Sequence, residues 1–159
     1  MEARIDARRY AQDAQKAMLA LETYLADCGL EHRLLHLLKM RASQINGCAY
    51  CIDMHSKDAR ALGETEQRLY ELDAWRETPF YTEKERAALA WTEAITLVSQ
   101  THVPDPVYEE VRKHFSEKEI VDLTFLVSTI NAWNRLAIAL RAVPGHYRPA
   151  ASKTAATAS

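Results

Sequence analysis

Lys39-Met40-Arg41-Ala42-Ser43-Gln44-Ile45-Asn46-Gly47-Cys48-Ala49-Tyr50-Cys51-Ile52-Asp53-Met54-His55 decides how the rest of the chain is read. Leu34, Leu35, Leu37, Leu38 and Ala42 give a broad apolar face to a helix from about Glu31 to Ile45. Asn46-Gly47 is a turn signal, because both residues tolerate positive φ. A further helix opens at Cys48 and ends at Gly63. Cys48 and Cys51 are three residues apart, so their side chains share a face and can approach disulfide distance. His55 follows Cys51 by four residues and lies on that face one turn on. Both sulfurs fall in the first turn, where unpaired N–H groups and the helix dipole favour a thiolate. A lowered pKa in a CxxC pair makes the nucleophilic form available near neutral pH. His55 can take a proton from one sulfur or pair with the thiolate.

Outward from this stretch the pattern stays helical. Tyr10, Ala14, Ala17, Met18, Leu21, Tyr24, Leu25 and Cys28 recur at three- and four-residue steps, predicting one helix over Ala7 to Cys28 with Asp6 as N-cap and Gly29 past its end. Thr65 caps a short helix through Trp75, and Pro79 breaks the chain. Thr82 and Glu85 have capping-box spacing for a helix to about Ser99. His102 to Pro106 reads as a linker, and Asp105-Pro106 as an N-cap with proline at the first helical position, leading to about His114. Ser116 and Glu119 form a second capping box for a long helix to about Val143, stopped by Pro144-Gly145. The result is one all-α domain of six to seven helices over residues 1–149. Residues 150–159, rich in Ala, Ser and Thr, are expected to form a mobile tail. The 31–45 and 122–140 helices are apolar over much of their circumference, which places them in the monomer core or between subunits.

Composition narrows the function classes. The chain has 159 residues, 48% hydrophobic and 26% charged, with a net charge of −2, which fits a globular domain and argues against a nucleic-acid surface. No apolar stretch approaches the roughly 20 residues of a membrane span. The start MEARIDARRY lacks an apolar signal core, giving the expectation of a cytoplasmic protein. Of its three cysteines, two sit in the CxxC, which in such a compartment is redox-active or metal-binding.

On the residues alone, two other readings of the pair stay open. Cys48, Cys51 and His55 can supply three zinc ligands, but no second CxxC or paired-His motif supplies a fourth, and Cys28 or His36 would do so only by the accident of folding. The cysteines can also be inert small core residues.

The Lys39–His55 run, with the later segments Ala90-Trp91-Thr92-Glu93-Ala94 and Asn131-Ala132-Trp133-Asn134-Arg135, resembles the carboxymuconolactone decarboxylase-like superfamily, and within it the alkylhydroperoxidase D-like (AhpD-like) branch carrying CxxC-x3-H. The likeness covers about Ala7 to Pro144. It implies an all-helical fold, homo-oligomers (trimer or hexamer) and thiol-dependent reduction of hydroperoxides. By position, Cys51 takes the role of peroxidatic cysteine, Cys48 that of resolving cysteine, and His55 belongs to the proton relay. The implied partners are a hydroperoxide and an external dithiol donor, lipoylated or thioredoxin-like, with no bound cofactor or metal. Family members place a glutamate twelve residues before the first cysteine; here that position is His36, and Glu31 lies more than a turn away. A neutral His36 can still accept a proton, whereas a cationic one favours the thiolate by charge. Tyr50 stands where some relatives have histidine and can donate a hydrogen bond.

Cys28 is expected to be buried and inert, and Trp91 and Trp133 to pack in the core or, as a second reading, to wall the peroxide pocket. Arg135 is expected to pair with Glu93 or Asp122. His102, His114 and His146 are given no role. The alternatives to a peroxidase are a non-enzymatic redox sensor and, less in keeping with a CxxC, a γ-carboxymuconolactone decarboxylase.

Overall fold

Side-chain caps at Asp6, Thr65, Thr82 and Ser116 set where four of the helices begin. In the computed structural model, which describes residues 1–149, the elements are α1 (Ala7–Tyr10), α2 (Gln12–Ala26), α3 (His32–Asn46), α4 (Ala49–Ala61), α5 (Glu66–Tyr70), a 3-10 helix (Leu72–Glu77), α6 (Glu83–Thr96), α7 (Val98–Thr101), α8 (Asp105–Val111) and α9 (Glu117–Leu140). Both expected capping boxes form, at Thr82/Glu85 and Ser116/Glu119. The described residues contain no strand, so the all-α reading holds; the expected tail lies outside them.

Among the described residues, ten helices replace the six to seven expected because three of the expected elements are split. The Ala7–Cys28 helix breaks at Ala11 (φ −136°, ψ 46°). Nothing in α1 is buried, so no packing holds it in line with α2. The segment turns instead so that the Arg4 N–H reaches the Leu140 carbonyl at 2.9 Å. The element after Thr65 becomes α5 plus the 3-10 helix, kinked at Ala74. The Thr82–Ser99 helix ends at Thr96, and the Thr101 hydroxyl caps the Ala94 carbonyl at 2.7 Å as α7 turns away. Two boundaries also move. Pro104, not Asp105, is the N-cap of α8, and α9 stops at Leu140 because Arg141 adopts φ +56°.

The core forms around α3, which packs against α4, α6 and α9. Leu37 and Leu38 of α3 are sealed against Leu89 of α6 and Leu123 and Leu126 of α9. Each such leucine stabilises the fold by about 1.5–3 kcal/mol of transfer free energy. By length and composition α9 can cross a membrane, contrary to the expectation that no segment approaches that limit. In this fold its inner face is core, and it buries Asp122, Asn131 and Asn134 with partners. Those partners also pin α3 to α9: the Asn46 amide donates to Asn131 and Asn134 at 2.9 and 2.8 Å, and Asn134 donates to the Ser43 hydroxyl at 3.0 Å. Satisfied amides of this kind fix register, since an orphaned one costs about 1–3 kcal/mol.

Candidate functional site

Gly47 positions the site. It closes α3 in the left-handed region (φ +68°), the turn read from Asn46-Gly47, and its N–H caps the Ser43 and Gln44 carbonyls. The chain then reverses within one residue, because Cys48 is already the extended N-cap of α4, its own N–H bound to the Ser43 carbonyl at 2.9 Å. This tight reversal lays α4 along α3. Cys48 and Cys51 are joined by a disulfide across the first turn of α4, with Cα atoms 5.4 Å apart. They pack against Ala42 and Ile130, with Trp133 and Ala137 beside them. Both sulfurs are therefore committed to one another, which removes them as ligands in this state.

One turn on, His55 is almost fully buried and faces His36 of α3, their Nδ1 atoms 3.3 Å apart. Asp58 completes the cluster, with Oδ2 3.8 Å from His36 Nδ1 and 3.9 Å from His55 Nδ1. Burial, reinforced by the nearby Lys39 ammonium, pushes His36 down to about 4 and His55 well below the usual histidine value. Both rings are thus neutral near pH 7, and their contacts with Asp58 are not ion pairs. One Nδ1 donates and the other accepts. Burial raises the Asp58 carboxyl, opposed by the Tyr147 hydroxyl, which donates to Oδ1 at 2.7 Å. His55 Nε2 is buried with no hydrogen-bond partner among the described residues.

A cavity of about 990 Å³ opens over this cluster. Cys51, Tyr50, His36, His55, Asp58 and Lys39 lie in its wall, while Leu19, Leu136, Leu140 and Ile5 make its outer part apolar. Cys51 lines it and Cys48 does not. The structure therefore brings together every site residue expected from the sequence, with Cys48 behind the wall. The sequence reading missed three contributors. Asp58 was detectable as the carboxylate three residues after His55. Tyr147 and the Lys39–Glu22 ion pair carried no local signal.

Other expectations are corrected. Cys28 is only half-buried. Trp91 packs in the core, donating to Thr124 at 3.2 Å, but Trp133 walls the cavity and donates to Glu22 at 3.0 Å. Arg135 pairs with neither Glu93 nor Asp122. It donates to the Asn131 carbonyl one turn back at 2.8 Å, because Glu93 is taken by Arg41, Arg76 and Trp75, and Asp122 by Lys118 and Tyr24.

The sequence pattern of the Carboxymuconolactone decarboxylase family matches residues 12–94. YdfG of Bacillus subtilis (strain 168), itself uncharacterized, is 45% identical over 140 residues, covering 88% of this chain and 95% of YdfG. The crystal structure of ATU0492 from Agrobacterium tumefaciens, a protein of unknown function named as a candidate AhpD antioxidant defence protein, superposes with a TM-score of 0.89 at 46% identity, covering 92% of this chain and all of that one. An uncharacterized peroxidase-related protein from Ralstonia eutropha JMP134 shares the fold, with a TM-score of 0.77 at 19% identity over 88% of this chain and 75% of its own.

Proposed function

The chain belongs to the carboxymuconolactone decarboxylase family, and from that premise we propose that it is a thiol-dependent peroxidase reducing hydroperoxides through Cys48 and Cys51. The observation that carries this reading is the Cys48–Cys51 disulfide at the start of α4, with Cys51 in the cavity wall and the His36–His55–Asp58 cluster one turn away. The disulfide is the oxidised end of the cycle. In the reduced protein the Cys51 proton passes to His55 Nε2, the nitrogen left without a partner. That requires His55 to carry its other proton on Nδ1 and donate it to His36, a neutral acceptor. The Cys51 thiolate then attacks the peroxide. An S–O bond forms, the O–O bond breaks, and the leaving alkoxide takes the proton from His55 to give the alcohol and a sulfenic acid. The Cys48 thiol displaces the sulfenic hydroxyl as water and closes the disulfide. An external dithiol, lipoylated or thioredoxin-like, returns two electrons and two protons.

In this reading Asp58 supplies the carboxylate that the glutamate position, His36, lacks, and Tyr50, which lines the cavity, donates to a bound peroxide. The size and apolar outer wall of the cavity favour an organic hydroperoxide over hydrogen peroxide. The half-exposed Val121 and Phe125 on the outer face of α9 support a homo-oligomer, trimer or hexamer. The reading also carries a cytoplasmic setting and no nucleic-acid or membrane partner. The test is peroxide-dependent closure of the Cys48–Cys51 disulfide in reduced protein, followed by mass spectrometry. Consumption of peroxide at the wild-type rate by Cys51→Ser overturns it.

His36 in the glutamate position favours a second reading, a redox sensor whose disulfide forms reversibly without turnover. Steady-state peroxide consumption with a dihydrolipoyl or thioredoxin-like donor separates the two. Lactone decarboxylation has no use for the pair, and only turnover surviving loss of both cysteines would support it.

A further inference from the structure

Three ligand-type atoms converge on the cavity wall from two helices: Nδ1 of His36, Nδ1 of His55 and Oδ2 of Asp58. We propose that these three side chains form a binding site for a divalent cation of the zinc class, and that its occupancy silences the thiol chemistry. The second clause rests on the peroxidase reading; the binding site does not.

The donor set suits such an ion. Two imidazoles and one carboxylate are borderline donors that Zn²⁺ and Co²⁺ take, leaving a fourth position open to the cavity. The nitrogens are 3.3 Å apart. Held about 2.0–2.1 Å from a shared ion, two such atoms subtend roughly 105° at it, close to tetrahedral. The Asp58 oxygen, at 3.8 and 3.9 Å from them, needs to close in by only a few tenths of an ångström.

Charge and outer contacts agree. The cation facing the cluster is Lys39, and its ammonium is ion-paired with Glu22, which offsets part of its charge. Tyr147 holds Asp58 Oδ1 and turns Oδ2 toward the rings, the orienting contact that metal-ligating carboxylates have. The set differs from Cys48, Cys51 and His55, since here both sulfurs are tied in the disulfide.

Silencing follows from proton placement. With Nδ1 of His55 on the ion, the remaining proton of the neutral ring sits on Nε2. That nitrogen then has no lone pair with which to accept the Cys51 proton.

The test titrates Co²⁺ into the full chain with its disulfide closed. One ion per chain is expected, with the visible bands of a four- or five-coordinate ion, no thiolate charge-transfer band that would betray Cys28, and displacement by Zn²⁺. His36→Gln and Asp58→Asn each weaken binding at least tenfold, and Tyr147→Phe weakens it by about tenfold, with circular dichroism confirming that each variant folds. Absence of one-to-one binding, or binding indifferent to His36→Gln and Asp58→Asn, overturns the site. In reduced protein, a Zn²⁺ concentration that slows peroxide-driven disulfide closure in the wild type is expected to slow it far less in Tyr147→Phe, each compared with its own metal-free rate. Equal inhibition of both assigns the effect to the dithiol and overturns the silencing. If the wild type consumes no peroxide, the peroxidase reading fails while the Co²⁺ spectrum still decides the site.

Discussion

Asp58→Asn removes one negative charge from the site while keeping an oxygen to accept from the Tyr147 hydroxyl. Asp58 Oδ2 lies 3.9 Å from His55 Nδ1. At that range a unit charge pair is worth about 4 kcal/mol at an effective dielectric of 20 and about 1 kcal/mol in water. Asp58 borders the open cavity while His55 is sealed beneath it, so the carboxylate stabilises a protonated His55 by about 1–3 kcal/mol. In the proposed relay this charge forms when Cys51 gives up its proton. Losing it raises the apparent pKa of the Cys51 thiol and slows Cys51 oxidation roughly 10- to 100-fold at neutral pH. The assay is single-turnover oxidation of reduced protein by an organic hydroperoxide across pH, with thiolate absorbance read in parallel; it needs no electron donor. Asp58→Asn should shift the rising limb of the profile to higher pH. A rate within threefold of wild type with an unshifted limb refutes the role of Asp58.

Cys48→Ser should still react once with peroxide and hold a sulfenic acid that a dimedone probe captures at Cys51; no capture at Cys51 contradicts the assigned order of attack. Folding stability should fall on acidification, because His36 takes up its proton near pH 6.5 unfolded but only at about 4 folded. The depressed pKa makes this contribution complete above the unfolded value and lost as pH drops toward 4, by about 3 kcal/mol at most. Urea unfolding of wild type against His36→Asn checks it, the variant giving a flatter dependence. Leu38→Ala empties the centre of α3 and should cost about 2–5 kcal/mol, seen as a lower urea midpoint with unchanged slope.

How much of this was legible in the sequence depends on the distance over which each feature acts. The capping boxes at Thr82 and Ser116 and the Gly47 turn form as read, because each is settled within four residues. The same local rules mispredicted Ala7–Cys28. Periodicity runs unbroken there, yet the polar first turn gains nothing from packing and the segment bends to reach the end of α9. Arg135 was assigned a carboxylate partner on charge alone; the carboxylates were already committed to closer cations on other helices. The His55–Asp58 spacing was in plain view, but a helical aspartate is usually a solvated one, and only its burial against Tyr147 singles it out.

The all-helical class, the reversal at Gly47 and the common face of Cys48, Cys51 and His55 are written in the chain. All of these follow from helical periodicity and turn chemistry within about twenty residues. Packing between distant helices makes His36 a neutral partner of His55, sets Asp58 and Tyr147 behind the pair, and turns Cys51 rather than Cys48 to the cavity. Those outcomes depend on how deeply each group is buried and on which distant helix lies opposite. Desolvation and contacts between α3, α4 and the segment after α9 set both, and no local pattern encodes them.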